Sequence, residues 1–403
     1  MELIPRPQYI EKIAGLINRS MMLILVGQRR VGKSKVLELF KDWLDRNRPE
    51  ANVVYINKEL QGVRDIVTAE QLYDYVVARL PESGENYLLI DEVQDVENYE
   101  NALRSLHAEN RCQVIATGSN AYIFSSELGT RLAGRYIEIK IYNLSYLEFL
   151  RFHNMEDSDR ALMHYLIMGG LPGLLAFKSE EKSQINDYLE GVYNTVLVKD
   201  IVSREKVRNV TQLENVIRYV ADNIGKPLSV ANIVRFLTSK GEKISDETVS
   251  NYLKYLRDSF LALPVKRFDI HGKLLLETNN KHYFSDHGIR NHLCGPDIRG
   301  SIEKVMENVV WNHLRRHGFD VTVGILRAGE IDFVATRAEQ RIYVQVTYLL
   351  ASDDTVKREF GNLAAIQDNY PKYVVSMDPL CGGFGEYPGI RHINLRDFLK
   401  TNL

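Results

Sequence analysis

The chain has 403 residues, 45% of them hydrophobic, and a formal net charge of −2 at pH 7. That length allows two or three domains with separate cores, and the charge argues against a protein that coats nucleic acid or a membrane along its whole surface. Three widely spaced cysteines, without a C-x-x-C pair, argue against a disulfide framework or a zinc site and favour a reducing compartment. The sequence shows neither a signal peptide nor a membrane span of about 18 apolar residues, so we expect a cytoplasmic protein without a membrane partner.

A phosphate-binding loop follows the first strand predicted along the chain. The apolar run 21–26 predicts a buried strand, and the sequence after it predicts a helix. Between them lies the pattern G-x-x-x-x-G-K-[ST], formed by Gly27, Gln28, Arg29, Arg30, Val31, Gly32, Lys33 and Ser34. In such a loop the backbone N–H groups face phosphates, Lys33 reaches the β- and γ-phosphates, and the Ser34 hydroxyl ligates Mg²⁺. The motif predicts binding of a nucleoside triphosphate.

A second motif ends a later strand. After a strand at 52–57 and a helix at about 68–80, four apolar residues lead into Asp91 and Glu92. This Walker B arrangement predicts Asp91 in the Mg²⁺ shell and Glu92 beside the attacking water. The segment 57–60 is not the guanine-reading N-K-x-D motif. We therefore expect ATP, with Mg²⁺, rather than GTP.

Polar and basic residues follow the next strand, predicted at 113–116. Ser119 or Asn120 is placed to hydrogen-bond the γ-phosphate or the attacking water, although an ordinary turn explains the same residues. Arg131 or Arg135 is placed to stabilise charge on the transferred phosphoryl group, either in cis or across a subunit boundary. Solvated surface arginines are the competing interpretation.

These motifs resemble, in order, those of the prokaryotic AAA+ ATPases that carry a C-terminal domain of unknown function. The matching segments are 27–34, 90–94, 117–120, 132–135, Leu-Ser-x-x-Glu-Phe at 144–149, Gly-Gly-Leu-Pro at 169–172 and Lys-Asp-Ile at 199–201. The resemblance implies a P-loop α/β domain with a parallel sheet, followed by a helical lid. It also implies ATPase roles for the Walker residues, for the polar residue after the fourth strand and for one of the two arginines.

The middle of the chain has the pattern of a winged helix. Helices are predicted at 211–223, 230–237 and 247–256, the last two with Ser229 and Ser245 as N-caps, and a hairpin at 261–266 and 273–278. Residues 203–273 carry a net charge of +5, against −2 for the whole chain. This contrast favours contact with duplex DNA, while a protein-interaction module remains the alternative.

The C-terminal pattern resembles the PD-(D/E)xK nucleases, which have a restriction-endonuclease-like α/β fold. A helix at 302–317, strands at 321–324, 331–335 and 342–346, a helix at 354–367 and a strand at 373–375 give the order αβββαβ. The residues at the corresponding site are Glu307, Glu330, Asp332, Gln345 and Thr347. Gln345 and Thr347 replace the carboxylate and the lysine of those enzymes, and an amide binds a hard cation far less well than a carboxylate. We therefore predict an inactive relative, with Lys357 as the only nearby candidate for a migrated lysine.

Four regions follow from these patterns. They are an AAA+ ATP-binding domain (1–143), a helical lid (144–202), a winged helix (203–286) and a nuclease-like domain (287–403). The predicted function is ATP hydrolysis coupled to conformational change, in a homo-oligomer or with a protein partner. The alternatives are an ATP-dependent DNA nuclease and a switch with little turnover, whose ATP state controls binding of a partner.

Overall fold

A computed structural model describes residues 4–118, 132, 134–178, 180–295, 297–327, 329–379, 381–382 and 386–403. The chain forms two compact units. The first comprises residues 1–143 with 258–260, and the second comprises 144–257 with 261–403. Within the described ranges, no helix is long and apolar enough to cross a membrane.

The first unit is a parallel α/β sheet with helices. Its described elements are α1 (Pro7–Ala14), β1 (Met22–Val26), α2 (Lys33–Asn47), β2 (Asn52–Asn57), α3 (Ala69–Val77), β3 (Asn86–Asp91), α4 (Tyr99–Ala108), β4 (Gln113–Gly118) and β5 (Tyr136–Lys140). The strand order is β2-β3-β4-β1-β5, and every pairing is parallel. Because parallel strands share one direction, the carboxyl ends of β1, β3 and β4 lie at the same edge of the sheet.

Burial explains why the central strands form where the sequence predicts them. All five residues of β1 and all six of β3 are buried, as expected for strands covered on both faces. Helix α2 turns Val36, Leu37 and Phe40 towards the core. Helix α3 begins with a capping box in which Thr68 and Gln71 satisfy each other's backbone N–H groups.

Beyond position 143 the chain first forms helices. They are α5 (Tyr146–Phe152), α6 (Asp159–Met168), α7 (Lys182–Thr195), a π-helix (Val196–Val202), one turn (Ser203–Glu205), α8 (Val210–Asp222), α9 (Val230–Ser239) and α10 (Asp246–Asp258). Ser229 accepts a hydrogen bond from the backbone N–H of Asn232, and Ser245 accepts one from Thr248, both at 3.1 Å. The two predicted serine caps are therefore present.

The Gly-Gly-Leu-Pro segment is a close contact between elements distant in sequence. Gly169 has φ +87°, and a Cβ there would lie 2.7 Å from the Cα of Gly288. A Cβ on Gly288 would lie 2.1 Å from the carbonyl oxygen of Met168. The Asp286 carboxylate accepts hydrogen bonds from the backbone N–H of Gly170 and that of Ile289. The glycines thus allow the end of α6 to pack directly on the start of α11 (His287–Cys294).

A mixed seven-stranded sheet completes the second unit. It contains β6 (Ala262–Asp269), β7 (Leu274–Phe284), β8 (Asp320–Ile325), β9 (Glu330–Arg337), β10 (Gln340–Val346), β11 (Lys372–Ser376) and β12 (Ile390–Asn394), with α12 (Ile302–Arg316), α13 (Asp353–Ala364) and α14 (Leu395–Phe398). The order is β12-β11-β10-β9-β8-β6-β7.

The hairpin of β6 and β7 differs from the short wing that the sequence predicts. Both strands are longer than expected, and β6 pairs in parallel with β8 through Arg267, Phe268 and Asp269. The added ladder partner explains why β6 continues to Asp269 instead of ending near Lys266. The sheet therefore takes strands from both sides of position 286. A domain boundary at that position stays a prediction.

Candidate functional site

The loop between β1 and α2 has the backbone that a phosphate-binding loop needs. Gly32, the N-cap of α2, is left-handed with φ +95°, a conformation that glycine adopts at little cost. A Cβ on Gly27 would lie 2.2 Å from the carbonyl oxygen of Ile141, so only glycine fits. The Lys33 ammonium donates to the carbonyls of Gly27 and Gln28 at 2.9 and 3.0 Å. The lysine is therefore held over its own loop.

An N-terminal arginine fixes this loop from outside the motif. Arg6 is 3% exposed, and its guanidinium donates to the carbonyls of Val31 and Tyr142, each at 3.0 Å. The Tyr9 hydroxyl accepts from the backbone N–H of Tyr142 at 3.0 Å. Sequence reasoning missed Arg6 because only the fold brings residue 6 to the loop. Arg6 precedes a short amphipathic helix, and nothing in the neighbouring sequence indicates that its side chain contacts the P-loop.

A threonine on the neighbouring strand hydrogen-bonds both Walker B residues. The Thr117 hydroxyl donates to Asp91 Oδ1 at 2.5 Å and accepts from the backbone N–H of Glu92 at 2.9 Å. Glu92 has φ +53°, an unusual conformation for a residue other than glycine, and its carboxylate accepts a hydrogen bond from the Gln94 amide. Thr117 is fully buried. One hydroxyl therefore positions both acidic residues.

Residues at this edge suit Mg²⁺ and a phosphate group. Asp91 Oδ2 is buried without a hydrogen-bond partner in the described part of the chain, and so are both amide atoms of Gln28. Burial raises the pKa of Asp91, while hydrogen bonds from Thr117 and Ser34 lower it. A carboxylate oxygen beside a serine hydroxyl is a donor set that Mg²⁺ accepts. The structure thus brings Ser34 and Asp91 together.

Three predicted residues lie outside the described residues: Ser119, Asn120 and Arg131. Arg135 is described and exposed. It directly precedes β5, whose first residue pairs with Met22, the first residue of β1. The P-loop follows the last residue of this five-residue strand, about 16 Å away. The Arg135 side chain therefore starts at the edge of the sheet opposite the P-loop.

The second predicted site is an acidic cluster on the seven-stranded sheet. The backbone N–H of Asp332 donates to Gln345 Oε1 at 3.2 Å, so these two residues meet across β9 and β10. Glu330 lies two positions before Asp332 on β9. Glu307 reaches the cluster from α12 and accepts a hydrogen bond from the Tyr283 hydroxyl at 2.8 Å. Thr347 instead donates to Glu303, at 3.3 Å.

The lysine at this cluster is one that the sequence analysis did not name. Lys281 on β7 is paired with Glu330 Oε1 at 2.5 Å and with Asp332 Oδ1 at 3.5 Å. Lys357, the candidate for a migrated lysine, is exposed on α13. Lys281 was missed because the run Asn279–His282 is polar and lacks the alternation of a half-buried strand. A charged residue spaced 51 positions from its partner leaves no local pattern.

Fold and site together define a P-loop ATPase of the AAA type. Residues 19–150 match the family model of an AAA domain, and residues 159–298 match that of a domain of unknown function, DUF8612. The chain belongs to the same family as an uncharacterised protein of Haemophilus influenzae, which is 33% identical over 380 residues and 93% covered in both chains.

The chain is also similar to more distant proteins. An uncharacterised protein of Methanocaldococcus jannaschii is 27% identical over 390 residues, which cover 89% of this chain and 83% of that one. Among solved structures, a Walker-type ATPase of Pyrococcus abyssi superposes with a TM-score of 0.51 at 17% identity. The match covers 72% of this chain and 95% of that one. At this identity, the similarity describes the fold.

Proposed function

We propose that this protein binds and hydrolyses ATP and couples its nucleotide state to a conformational change. The observation that carries the proposal is the Thr117 hydroxyl, which holds Asp91 and the backbone of Glu92 at the edge of the sheet that also carries the P-loop. The arrangement is that of a metal ligand beside a group that orients water.

Each residue has a separate task in this proposal. Mg²⁺, when bound, neutralises charge on the phosphates, and Ser34 and Asp91 would hold it. The Lys33 ammonium exchanges its loop carbonyls for phosphate oxygens, a stronger charge-assisted interaction. Gln28 supplies a buried amide with unused hydrogen-bonding capacity. Glu92, fixed by its backbone, accepts a hydrogen bond from the attacking water.

Two substitutions separate binding from hydrolysis. Lys33→Ala removes a contact to the ground-state phosphates, so we expect binding of a fluorescent ATP analogue to be lost. Glu92→Gln retains the shape of the side chain but removes the carboxylate, so binding should persist while turnover falls on the order of 10²-fold or more. Glu97→Gln, an exposed change nearby, is the matched control. Unchanged turnover in Glu92→Gln would reject the assignment.

An arginine acting across a subunit boundary would explain how this chain completes its site. Arg135 lies too far from its own P-loop for a cis role, and a trans role requires a homo-oligomer. Specific activity should then rise with protein concentration. Mixing Arg135→Ala with Lys33→Ala protein should restore activity, because each variant supplies what the other lacks. If turnover does not depend on protein concentration and the mixture restores no activity, Arg135 is not part of the catalytic site.

We further propose duplex DNA as a partner of the region 203–286. The favouring observation is that Lys254 on α10 and Lys266 and Lys273 on the hairpin are all exposed, in a stretch with net charge +5. Neutralisation of phosphates makes such binding fall steeply with salt. A labelled duplex should bind at low salt and lose affinity when these lysines, with Arg257 and Arg267, are replaced by glutamine. Binding that survives the replacement would favour a protein partner instead.

A further inference from the structure

A buried ammonium lies at the centre of the acidic cluster. The Lys281 side chain is 3% exposed, on a strand neighbouring neither β9 nor α12 in sequence. Its Nζ contacts Glu330 Oε1 at 2.5 Å and Asp332 Oδ1 at 3.5 Å. A buried charge is costly unless it is paired, so these carboxylates are what allow the lysine to be buried.

The carboxylate oxygens are already engaged by the protein itself. Asp332 Oδ2 accepts the backbone N–H of Val346 at 2.9 Å, and Oδ1 faces Lys281. Glu307 Oε2 accepts the Tyr283 hydroxyl at 2.8 Å. On another side, a Cβ on Gly225 would lie 2.5 Å from the same Glu307 oxygen, so the loop between α8 and α9 covers this carboxylate closely. These contacts engage both oxygens of Asp332 and one oxygen of Glu307, while the Glu330 side chain remains 32% exposed.

The charges in the cluster also indicate that Lys281 compensates the carboxylates. Burial alone would lower the pKa of Lys281, but the charges of Glu307, Asp332 and Glu330 together raise it. Burial, with the Asp332 charge, raises the pKa of Glu307, while Lys281 lowers it. These charges favour the ammonium form of Lys281, which contacts Glu330 and Asp332 directly. It supplies the positive charge that a divalent ion supplies in a nuclease site.

The remaining positions do not suit a metal ion. Gln345 turns its oxygen to the backbone of Asp332, and Thr347 pairs with Glu303. Glu359, another nearby acid, is paired through Oε1 with the guanidinium of Arg358 at 2.6 Å. Within the described stretches, no group of three or more His, Cys, Asp or Glu side chains is arranged to hold a metal. The Mg²⁺ that the nuclease resemblance implies does not fit these residues.

We propose that the Lys281 ammonium is the built-in cation of this cluster, and that it takes the place of the metal ion of a nuclease. The site then joins β7, β9 and α12 by charge and performs no metal-dependent phosphodiester cleavage. This inference concerns the C-terminal sheet alone and does not depend on the proposed ATPase activity.

Removing the ammonium should convert the cluster into a cation site. Without nucleotide, Lys281→Met leaves Glu330 and Asp332 without their counter-charge, so it should lower the melting temperature, and millimolar Mn²⁺ should restore about 3 °C or more. Lys281→Arg retains the cation and should show no response to Mn²⁺. Trp311, whose ring stacks on Tyr283 at 5.4 Å, reports unfolding of this region in a Trp43→Phe background.

Further measurements decide between the outcomes. Adding Asp332→Asn to Lys281→Met should abolish the response to Mn²⁺, and a response that persists would place the ion elsewhere and reject the proposal. Lys281→Met that folds but ignores Mn²⁺ would also reject it. If that variant does not fold, titration of the wild-type protein with Mn²⁺, followed by electron paramagnetic resonance, gives the answer. Binding by the wild type that is lost in Asp332→Asn, or Mn²⁺-dependent plasmid cleavage lost in the same variant, would overturn the inference.

Discussion

Replacing Thr117 by valine tests how the Walker B residues are held. Valine has nearly the shape of threonine, so no cavity forms, but both hydrogen bonds of the hydroxyl are lost. The bond to the Asp91 carboxylate is charge-assisted and contributes about 2 kcal/mol, and the bond from the Glu92 N–H about 1 kcal/mol. We therefore expect Thr117→Val to lower the free energy of unfolding by roughly 3 kcal/mol.

Thr117→Ser is the matched control, because it keeps the hydroxyl and loses one buried methyl group. That loss costs about 1 kcal/mol, so the two variants should differ by roughly 2 kcal/mol. The free energy of unfolding falls by about 2 kcal/mol per molar urea, so the urea midpoint of Thr117→Val should lie about 1 M below that of Thr117→Ser. Of the two tryptophans, Trp43 lies in the first unit, so its fluorescence in a Trp311→Phe background follows this unit.

The same pair of variants tests the link to turnover. Thr117→Val releases Asp91 and the backbone of Glu92, so we expect ATP hydrolysis to fall about tenfold or more with the binding of nucleotide largely retained. Thr117→Ser should stay within about threefold of the wild type on the same argument. If the valine variant equals the serine variant in both stability and turnover, the hydroxyl does not position these residues and the reasoning fails.

Three further changes address other features of the two units. Gly27→Ala places a Cβ 2.2 Å from a backbone carbonyl and should abolish binding of a fluorescent ATP analogue, whereas Gly62→Ala, with open space around it, should bind normally. Gly169 has φ +87°, and a Cβ there would lie 2.5 Å from a carboxylate oxygen, so Gly169→Ala should lower the urea midpoint by about 1 M or more. Gly191 lies in a helix with open space around it, so Gly191→Ala should raise the midpoint slightly. Burial raises the pKa of Glu307 to about 8, so between about pH 5 and 8 the folded state keeps a proton that the unfolded state releases. The free energy of unfolding should therefore fall as the pH rises through this range. Glu307→Gln should remove that fall in chemical denaturation curves, and a curve that stays unchanged would contradict the assignment.

The first unit could be predicted well because its motifs and strands are formed by residues that are adjacent in the sequence. The P-loop needs glycine at two positions for steric reasons, and β1 and β3 are continuous apolar runs because both faces are covered. Asp91 and Ser34 follow from those motifs. Thr117 was overlooked because a threonine within an apolar strand is ordinary. Its role appears only when β4 is paired beside β3.

The second unit was harder to predict because its decisive contacts are long-range. Polar Lys281 is a strand residue only because carboxylates on β9 compensate its burial. The hairpin is longer than the predicted wing because β6 pairs with β8, which lies more than 50 residues away in the sequence. Local patterns could not place Arg135 in the first sheet either. Its distance from the P-loop depends on strand direction, not on spacing along the chain.

The shared sheet has a practical consequence for dividing this protein. In the intact chain β8 is paired on both sides, by β9 and by β6. A fragment that starts after position 286 lacks β6 and β7, so it would present β8 as a bare edge with unpaired backbone groups. It would also lose Lys281 and leave Glu330 and Asp332 without their buried counter-charge. Such a fragment should aggregate, whereas one that starts before α8 keeps the sheet and its charge balance.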